Sequence, residues 1–416
     1  MLELVKKDKH AHKSTLDEIL RQGAIKLLKM SLQAEVDEYI QENFEVKDSN
    51  GHRMVVRNGS SQKRKVLTGA GVIEVSTPRV SDKREDFKFT SKILPPYMRK
   101  TPNVENLLPI LYLKGISSNQ FEEALTSILG EGVRGLSSSS IISLKKAWSK
   151  EFDQWSLRPI TKKYVYLWAD GVNVKLRLGD DDRLCLLVVI GVTSEGKKEL
   201  LAVEAGYKES AESWKCLFRS LIDRGFTSPS LIVADGALGL WKAIKDLGEF
   251  FKETKEQSCW VHRIGNVLDA LPKSLQVPGK SLLHEMMNAA SKEEANKAKK
   301  RFDENFKDKY PKAVKKLDKT WEKVTTFFDF PSNHWVHMRS TNVIESTFAS
   351  VKSRTRSTKG AGSPQMASAM TFKLLESAEK RWRKIRSPEK LQWVIKKLDI
   401  KDGELIDKKS HNQEVA

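Results

Sequence analysis

KYVYLWADGVNVKLRL, residues 163–178, opens as an apolar strand and delivers an acid, Asp170, followed by glycine. The runs LCLLVVIGV (184–192) and KKELLAV (197–203) continue the apolar pattern between turn residues, so a meander of three or four strands is expected. A helix follows at 210–224, carried by Ala211, Trp214, Leu217, Phe218 and Leu221 at helical spacing. Next come a strand, Leu231–Ala234, a helix from Gly239 to Leu247, and a short strand near Thr254–Trp260. Antiparallel strands followed by βαβ units predict a mixed α/β sheet covered by helices.

On the N-terminal side, residues 14–43 read as a helix. Leu16, Ile19, Leu20, Ile25, Leu28, Leu32 and Val36 recur every three or four positions, and Ser14 with Asp17 has the form of a capping box. A basic stretch follows, with Arg53, Arg57, Lys63, Arg64 and Lys65 and no acid. Val66, Gly69, Val72, Ile73 and Val75 then predict a β-hairpin within 66–80, and Pro95, Pro96 and Pro102 mark a linker. Residues 103–154 hold three short helices: one ending at Gly115, one from Asn119 to Gly130, and one starting in the serines Ser137–Ser140. Tight turns, with Lys145 and Lys146 on the third helix, suit a helix-turn-helix DNA reader; an ordinary helical bundle has the same pattern. Beyond the sheet, 263–330 is helical and highly charged. Helical periodicity returns at 340–356 and 364–386, and a polar tail follows Asp402.

The charge balance narrows the partner. Lys and Arg number 73 against 54 Asp and Glu, a net charge of +19 in 416 residues, which fits a protein that meets a polyanion. No apolar run reaches the ~20 residues of a membrane helix. The opening MLELVKKDKHAHKS has no apolar signal core, so a cytoplasmic protein, nucleoid-associated when bound to DNA, is expected. Cys185, Cys216 and Cys259 are odd in number and widely spaced, and imply no disulfide framework.

Carboxylates are costly beside a polyanion, and that singles out Asp170, Asp235 and Glu345. YLWADG and LIVADG both place an aspartate after an apolar strand. One Asp-Gly is adequately explained as a turn; two on strands that can lie side by side make a shared carboxylate pair. Glu345 has a local rival reading, because Asn342 three residues earlier makes it the partner in a capping box. The basic run after it, with Lys352, Arg354 and Arg356 among others, favours a role beside a phosphate backbone, and Arg339 is a weaker DNA contact. Cys259-x-x-His262 has the form of a zinc half-site that His334 and His337 would complete; that spacing is long and lacks a second cysteine pair, so structural zinc is the less favoured reading. The run Asp180–Asp182 reads as a solvated turn.

Together the two strand-borne aspartates, Cys259-Trp-Val-His262, Ser340-Thr-Asn-Val-Ile-Glu-Ser346, RNGSSQKRKVLTGAGVIEVSTPRV and TTFFDFP resemble the Mutator-type transposases of bacterial insertion sequences. The resemblance covers most of the chain. It implies a DDE-class enzyme with a ribonuclease H-like core, in which Asp170, Asp235 and Glu345 form the metal-binding triad and His262 lies beside it near a phosphate. Mg²⁺, with Mn²⁺ as a substitute, is the implied cofactor. Double-stranded DNA, as terminal inverted repeats and as target, is the implied partner, and a homodimer the implied assembly. The resulting expectation is an N-terminal helix and small β region (1–102), a helix-turn-helix-like module (103–158), the first part of the core (159–262), a helical insertion (263–338), core completion with the glutamate helix and a basic C-terminal helix (339–400), and a polar tail (401–416). A non-catalytic DNA-binding regulator and a nuclease that cuts without joining strands are the alternatives.

Overall fold

The computed structural model describes residues 15–116, 120–129, 138–177, 183–206, 208–236 and 238–406. Ser14, Asn119, Gly130, Ser137, the run Asp180–Asp182 and the tail past 406 lie outside the described residues. The chain divides into two compact units, Met1–Leu144 and Lys145–Ala416.

In the first unit, helix α1 (Thr15–Glu42) precedes four short strands, β1 (Val55–Ser60), β2 (Arg64–Thr68), β3 (Gly71–Val75) and β4 (Pro78–Asp82). β2 and β3 form the expected hairpin, from Arg64↔Val75 to Thr68↔Gly71. β1, which the sequence pattern does not announce because five of its six residues are exposed, pairs with β4. Leu32, Val66, Ile73, Val75 and Leu94 make the core, with Ile25, Leu28 and Met98 packed on it. The expected apolar face of α1 is corrected at its start, where Leu16, Ile19 and Leu20 are exposed. Length explains this: a helix of 28 residues spans about 42 Å, whereas five-residue strands reach about 17 Å and cover only its later turns. Helices α2 (Pro102–Leu113), α3 (Gln120–Leu129) and α4 (Ser138–Ser156) follow as the periodicity predicts, and the unit boundary falls inside α4.

The second unit is built on a five-stranded sheet. Its strands are β5 (Tyr164–Lys175), β6 (Arg183–Thr193), β7 (Lys198–Gly206), β8 (Leu231–Ala234) and β9 (Lys255–Ser258), in the order β7-β6-β5-β8-β9. β6 runs antiparallel to β5 and β7, while β5, β8 and β9 are mutually parallel. Helices α5 (Ala211–Asp223) and α6 (Leu238–Asp246) cover one face, where Trp214, Leu217, Phe218, Leu240 and Ala243 meet Leu167, Leu187 and Leu201. Helices α7 (Trp260–Leu268), α8 (Lys273–Asn288), α9 (Lys292–Phe306), α10 (Pro311–Asp318) and α11 (Trp321–Thr325) then form a run of helices after the last central strand. They lead through α12 (Trp335–Met338) to α13 (Asn342–Ser357), which lies against β5, and α14 (Pro364–Glu379), which lies against β7. Short helix α15 (Leu391–Ile395) and the small pair β10 (Ile400–Lys401) and β11 (Glu404–Leu405) end the described chain.

One expectation fails in an informative way. Asp170 does not end a strand before a turn: β5 runs unbroken through Asp170-Gly171, pairing Asp170 with Val188 and Gly171 with Leu187 on β6. The long partner strand supplies the ladder hydrogen bonds that keep the backbone extended across an Asp-Gly pair that, on its own, favours a turn.

Candidate active site

The three acids arrive from three different elements. Asp170 and Asp235 each lie two residues past the last registered pair of β5 and β8, Trp168↔Val233. β8 ends at Ala234 while β5 runs on, so both aspartates lie where this parallel pair ends, the place where open α/β sheets hold ligands. Glu345 is in the first turn of α13, whose N-terminus is fixed from β9: the Thr341 amide donates to the Cys259 sulfur at 3.4 Å, and the Trp260 amide donates to the Arg339 carbonyl at 2.8 Å. Cys259 in turn donates its amide to the Ala234 carbonyl at 2.7 Å. Backbone and sulfur contacts therefore link the β8 end, the β9 end and the glutamate helix.

The electrostatics bind the group together. Burial lifts the Asp170 carboxyl to about 7, the charge of Asp235 adds to this, and Glu209 and Glu345 contribute in the same direction. The Gly171 amide, donating to Asp170 Oδ1 at 2.8 Å, opposes them. A buried acid whose ionisation is further opposed by its acidic neighbours, in a chain of net charge +19, is suited to holding a cation.

The capping-box reading of Glu345 is not what the fold contains. Thr341 is the N-cap and Asn342 is already helical; the Glu345 carboxylate accepts the Thr341 hydroxyl instead of reaching back to a backbone amide. His262, on α7, brings Nδ1 to 3.7 Å from Glu345 Oε1, and Cys259, His262 and Glu345 offer ligand atoms within 4.8 Å of one another. A contact with the Cys259 sulfur, too loose for a well-formed hydrogen bond, lifts the imidazole to about 9 against the effect of burial, helped by the charges of Cys259, Glu345 and Asp235. Burial would raise the Cys259 thiol, but contacts with His262 and Thr341 outweigh it and lower it.

His334 and His337 do not complete a zinc site with this pair. His334 is buried with Nδ1 at 2.9 Å from the Tyr166 hydroxyl and Nε2 at 3.1 Å from the Ser387 carbonyl. His337 Nε2 accepts the Arg386 amide at 3.2 Å. Burial pushes His337 down to about 4, aided by Lys198, His334 and Arg386. Its folded state thus stays neutral where the unfolded chain, near 6.5, takes up a proton. Stability from this residue is complete above about 6.5 and declines as the pH falls toward about 4. His337→Asn is expected to flatten that part of the acid-denaturation profile, read as urea midpoint against pH; an unchanged slope would mean that His337 does not set it.

The family model for transposases of the Mutator family matches residues 1–384. The chain belongs to that family. It is 44% identical over 306 residues to the transposase for insertion sequence element IS6120 of Mycolicibacterium smegmatis, covering 73% of this chain and 93% of that protein. It is 43% identical over 283 residues to the transposase for insertion sequence element IST2 of Acidithiobacillus ferrooxidans, covering 68% and 95%. A more distant relative, the transposase for insertion sequence element IS905 of Lactococcus lactis, is 27% identical over 346 residues, 83% of this chain and 85% of that one.

Around this site the Mutator-family chain distributes its basic residues unevenly. Lys352 and Arg356 are exposed on α13, Lys146 is exposed on α4, and Lys145 is half-buried. Arg354 is corrected: it is buried, 3% exposed, because it continues the stripe Ile344, Thr347, Phe348 and Val351 that packs inward. Arg339 is half-buried, with its guanidinium 4.9 Å from the Phe327 ring centroid and 5.3 Å from that of Trp335, and its Nη1 donates to Asn288 Oδ1 at 3.2 Å. It braces the chain just before the glutamate helix. Two neighbours escaped the sequence reading, Glu209 before α5 and Arg263 on α7. The Arg263 guanidinium approaches Gly236, and the charge of Asp235 acts on it. Glu209 lies in a turn with no motif; its charge acting on Asp170, and that of Asp235 acting on it, mark it.

Proposed function

We propose that this chain binds the terminal inverted repeats of an insertion sequence and performs divalent-metal-dependent DNA cleavage and strand transfer into target DNA. The observation that supports the reading is the matched placement of Asp170 and Asp235, each two residues past the last β5–β8 pair, with the charges of Asp235 and Glu345 both acting on Asp170. The strand order, with one antiparallel member between parallel neighbours, supports a ribonuclease H-like core, and the helices from α7 to α12 support a helical insertion before the glutamate.

The donor set fits the implied cofactor. Carboxylate oxygens suit Mg²⁺, with Mn²⁺ as a substitute, and a divalent cation offsets the burial and neighbouring negative charge that raise Asp170 to about 7. When bound, divalent cations supply a polarised scissile phosphate and an activated attacking oxygen. Asp170, Asp235 and Glu345 hold and orient that cofactor. His262, lifted toward the imidazolium form and half exposed, places a positive charge where a phosphate oxygen would approach. Cys259 fixes the ends of β9 and α13 relative to each other. Lys352 and Arg356 meet the phosphate backbone, and the three helices α2–α4, with Lys145 and Lys146, read the inverted repeat. Holding two element ends at once calls for two copies of the chain.

The test is a strand-transfer assay with end-labelled element DNA, an unlabelled plasmid and Mg²⁺. Labelled DNA covalently joined to the plasmid is the expected product. Cut but unjoined ends would leave a nuclease, and binding without cutting would leave a regulator. Lys352→Ala with Arg356→Ala is expected to weaken DNA binding and lower the slope of log affinity against log salt by about 0.9 for each phosphate that is no longer neutralised. An unchanged slope would remove this face from the DNA path.

A further inference from the structure

Glu209 sits in the turn between β7 and α5, immediately before the helix N-cap Ser210. Its side chain lies against β5 at Gly171, the residue after Asp170. A Cβ placed on Gly171 would fall on the Glu209 carboxylate and within 2.7 Å of both Cδ and Cγ. A Cβ on Gly239, in the first turn of α6, would fall on the Glu209 carbonyl oxygen and within 3.0 Å of the Ala211 amide nitrogen. Two glycines, Gly171 next to Asp170 and Gly239 four residues after Asp235, thus clear the space in which this one turn is seated. Along β5, side chains alternate between faces, so Gly171 opens toward the α5 layer while Asp170 faces the α13 layer. The missing side chain lets a carboxylate from the α5 side come against β5, close enough for its charge to act on Asp170 and for that of Asp235 to act on it.

No described residue gives that carboxylate a hydrogen bond or an ion-pair partner, although the residue is half-buried. Burial and the charge of Asp235 oppose its ionisation, His262 partly offsets them, and its own charge acts on Asp170. A half-buried carboxylate held beside two others by tight backbone packing is unfavourable unless a cation shares the site. We propose that Glu209 is a fourth oxygen ligand, with Asp170 and Asp235, for the divalent cation of the cutting site. The proposal rests on the reading of Asp170 and Asp235 as cation holders, and adds a residue from the opposite layer of the fold.

The test is Mn²⁺ binding to the full chain without DNA, followed by electron paramagnetic resonance of the free ion, with melting temperatures as a check on folding. Glu209→Gln, which keeps the shape, is expected to weaken Mn²⁺ binding about tenfold or more. Glu209→Asp, which keeps the oxygens on a shorter arm, is expected to recover part of that loss. Gly171→Ala, which pushes the carboxylate away without removing it, is expected to weaken binding as well, and Glu212→Gln on the exposed side of α5 is expected to change nothing. If Asp170→Asn loses Mn²⁺ while a folded Glu209→Gln binds within twofold of the parent, the fourth-ligand proposal is overturned and the metal site stands. If Asp170→Asn also binds Mn²⁺ like the parent, the cation reading of the site falls and takes this proposal with it.

Discussion

Asp170→Asn is expected to lower DNA cutting by at least about 10³-fold, the scale of losing one essential electrostatic group from an enclosed site. DNA binding should hold or tighten. The substitution keeps the shape of the side chain and its place in the β5–β6 ladder, so the fold has no steric reason to change. It removes one negative charge from a group whose ionisation burial and Asp235 already oppose. The metal-free variant should therefore melt no lower than the parent. Near neutral pH and above, where the parent's Asp170 must ionise at a cost, it should melt higher. Asp235→Asn should lose cutting in the same way. A variant that cuts within tenfold of the parent would show that the strand-borne acids are not the cutting site.

Trp168→Ala is expected to cost about 3–5 kcal/mol of stability, the range for truncating a large buried aromatic. Trp168 is fully buried on β5, two residues before Asp170, and its indole Nε1 donates to the His337 carbonyl at 3.0 Å. It therefore links the central strand to the segment that leads into the glutamate helix. Truncation opens a cavity and also leaves a carbonyl without its donor, which adds about 1–3 kcal/mol if no water reaches it. Trp168→Phe separates the two contributions, because it keeps most of the packing and loses only the hydrogen bond. Its urea midpoint should fall between those of the parent and Trp168→Ala. A loss below about 1 kcal/mol for Trp168→Ala would mean that the indole packs far less tightly than its burial implies.

Most of the sheet of the second unit is legible because β5, β6, β7 and β8 carry apolar runs bounded by turn residues. Leu231–Ala234 is the clearest case, predicted and found with the same limits. The passage through Asp170-Gly171 was not legible, because the local preference for a turn is overruled by eleven residues of β6 that pair along β5. The positions of Asp170 and Asp235 could be anticipated from two matching strand motifs. Glu209 could not, since nothing local distinguishes an acid before an N-cap serine from any helix start. Its role depends on two distant glycines that make room for it. Arg354 is the opposite case: its charge suggests exposure, while its spacing from Ile344, Phe348 and Val351 places it on the inward stripe. For Glu345, spacing alone does not exclude capping, and only the folded chain shows Thr341 as the N-cap, with its amide on the Cys259 sulfur.

Glu345→Gln is the most direct test that three elements build one cutting site. Gln can still accept the Thr341 hydroxyl, so the start of α13 keeps its local hydrogen bond while the site loses a charge. The measurement is cleavage of labelled element-end DNA in Mg²⁺ by protein already bound to it, beside Asp170→Asn. Bound, uncut DNA is expected with both variants. Normal cutting by Glu345→Gln would confine that residue to the local structure of its helix and contradict the three-carboxylate site.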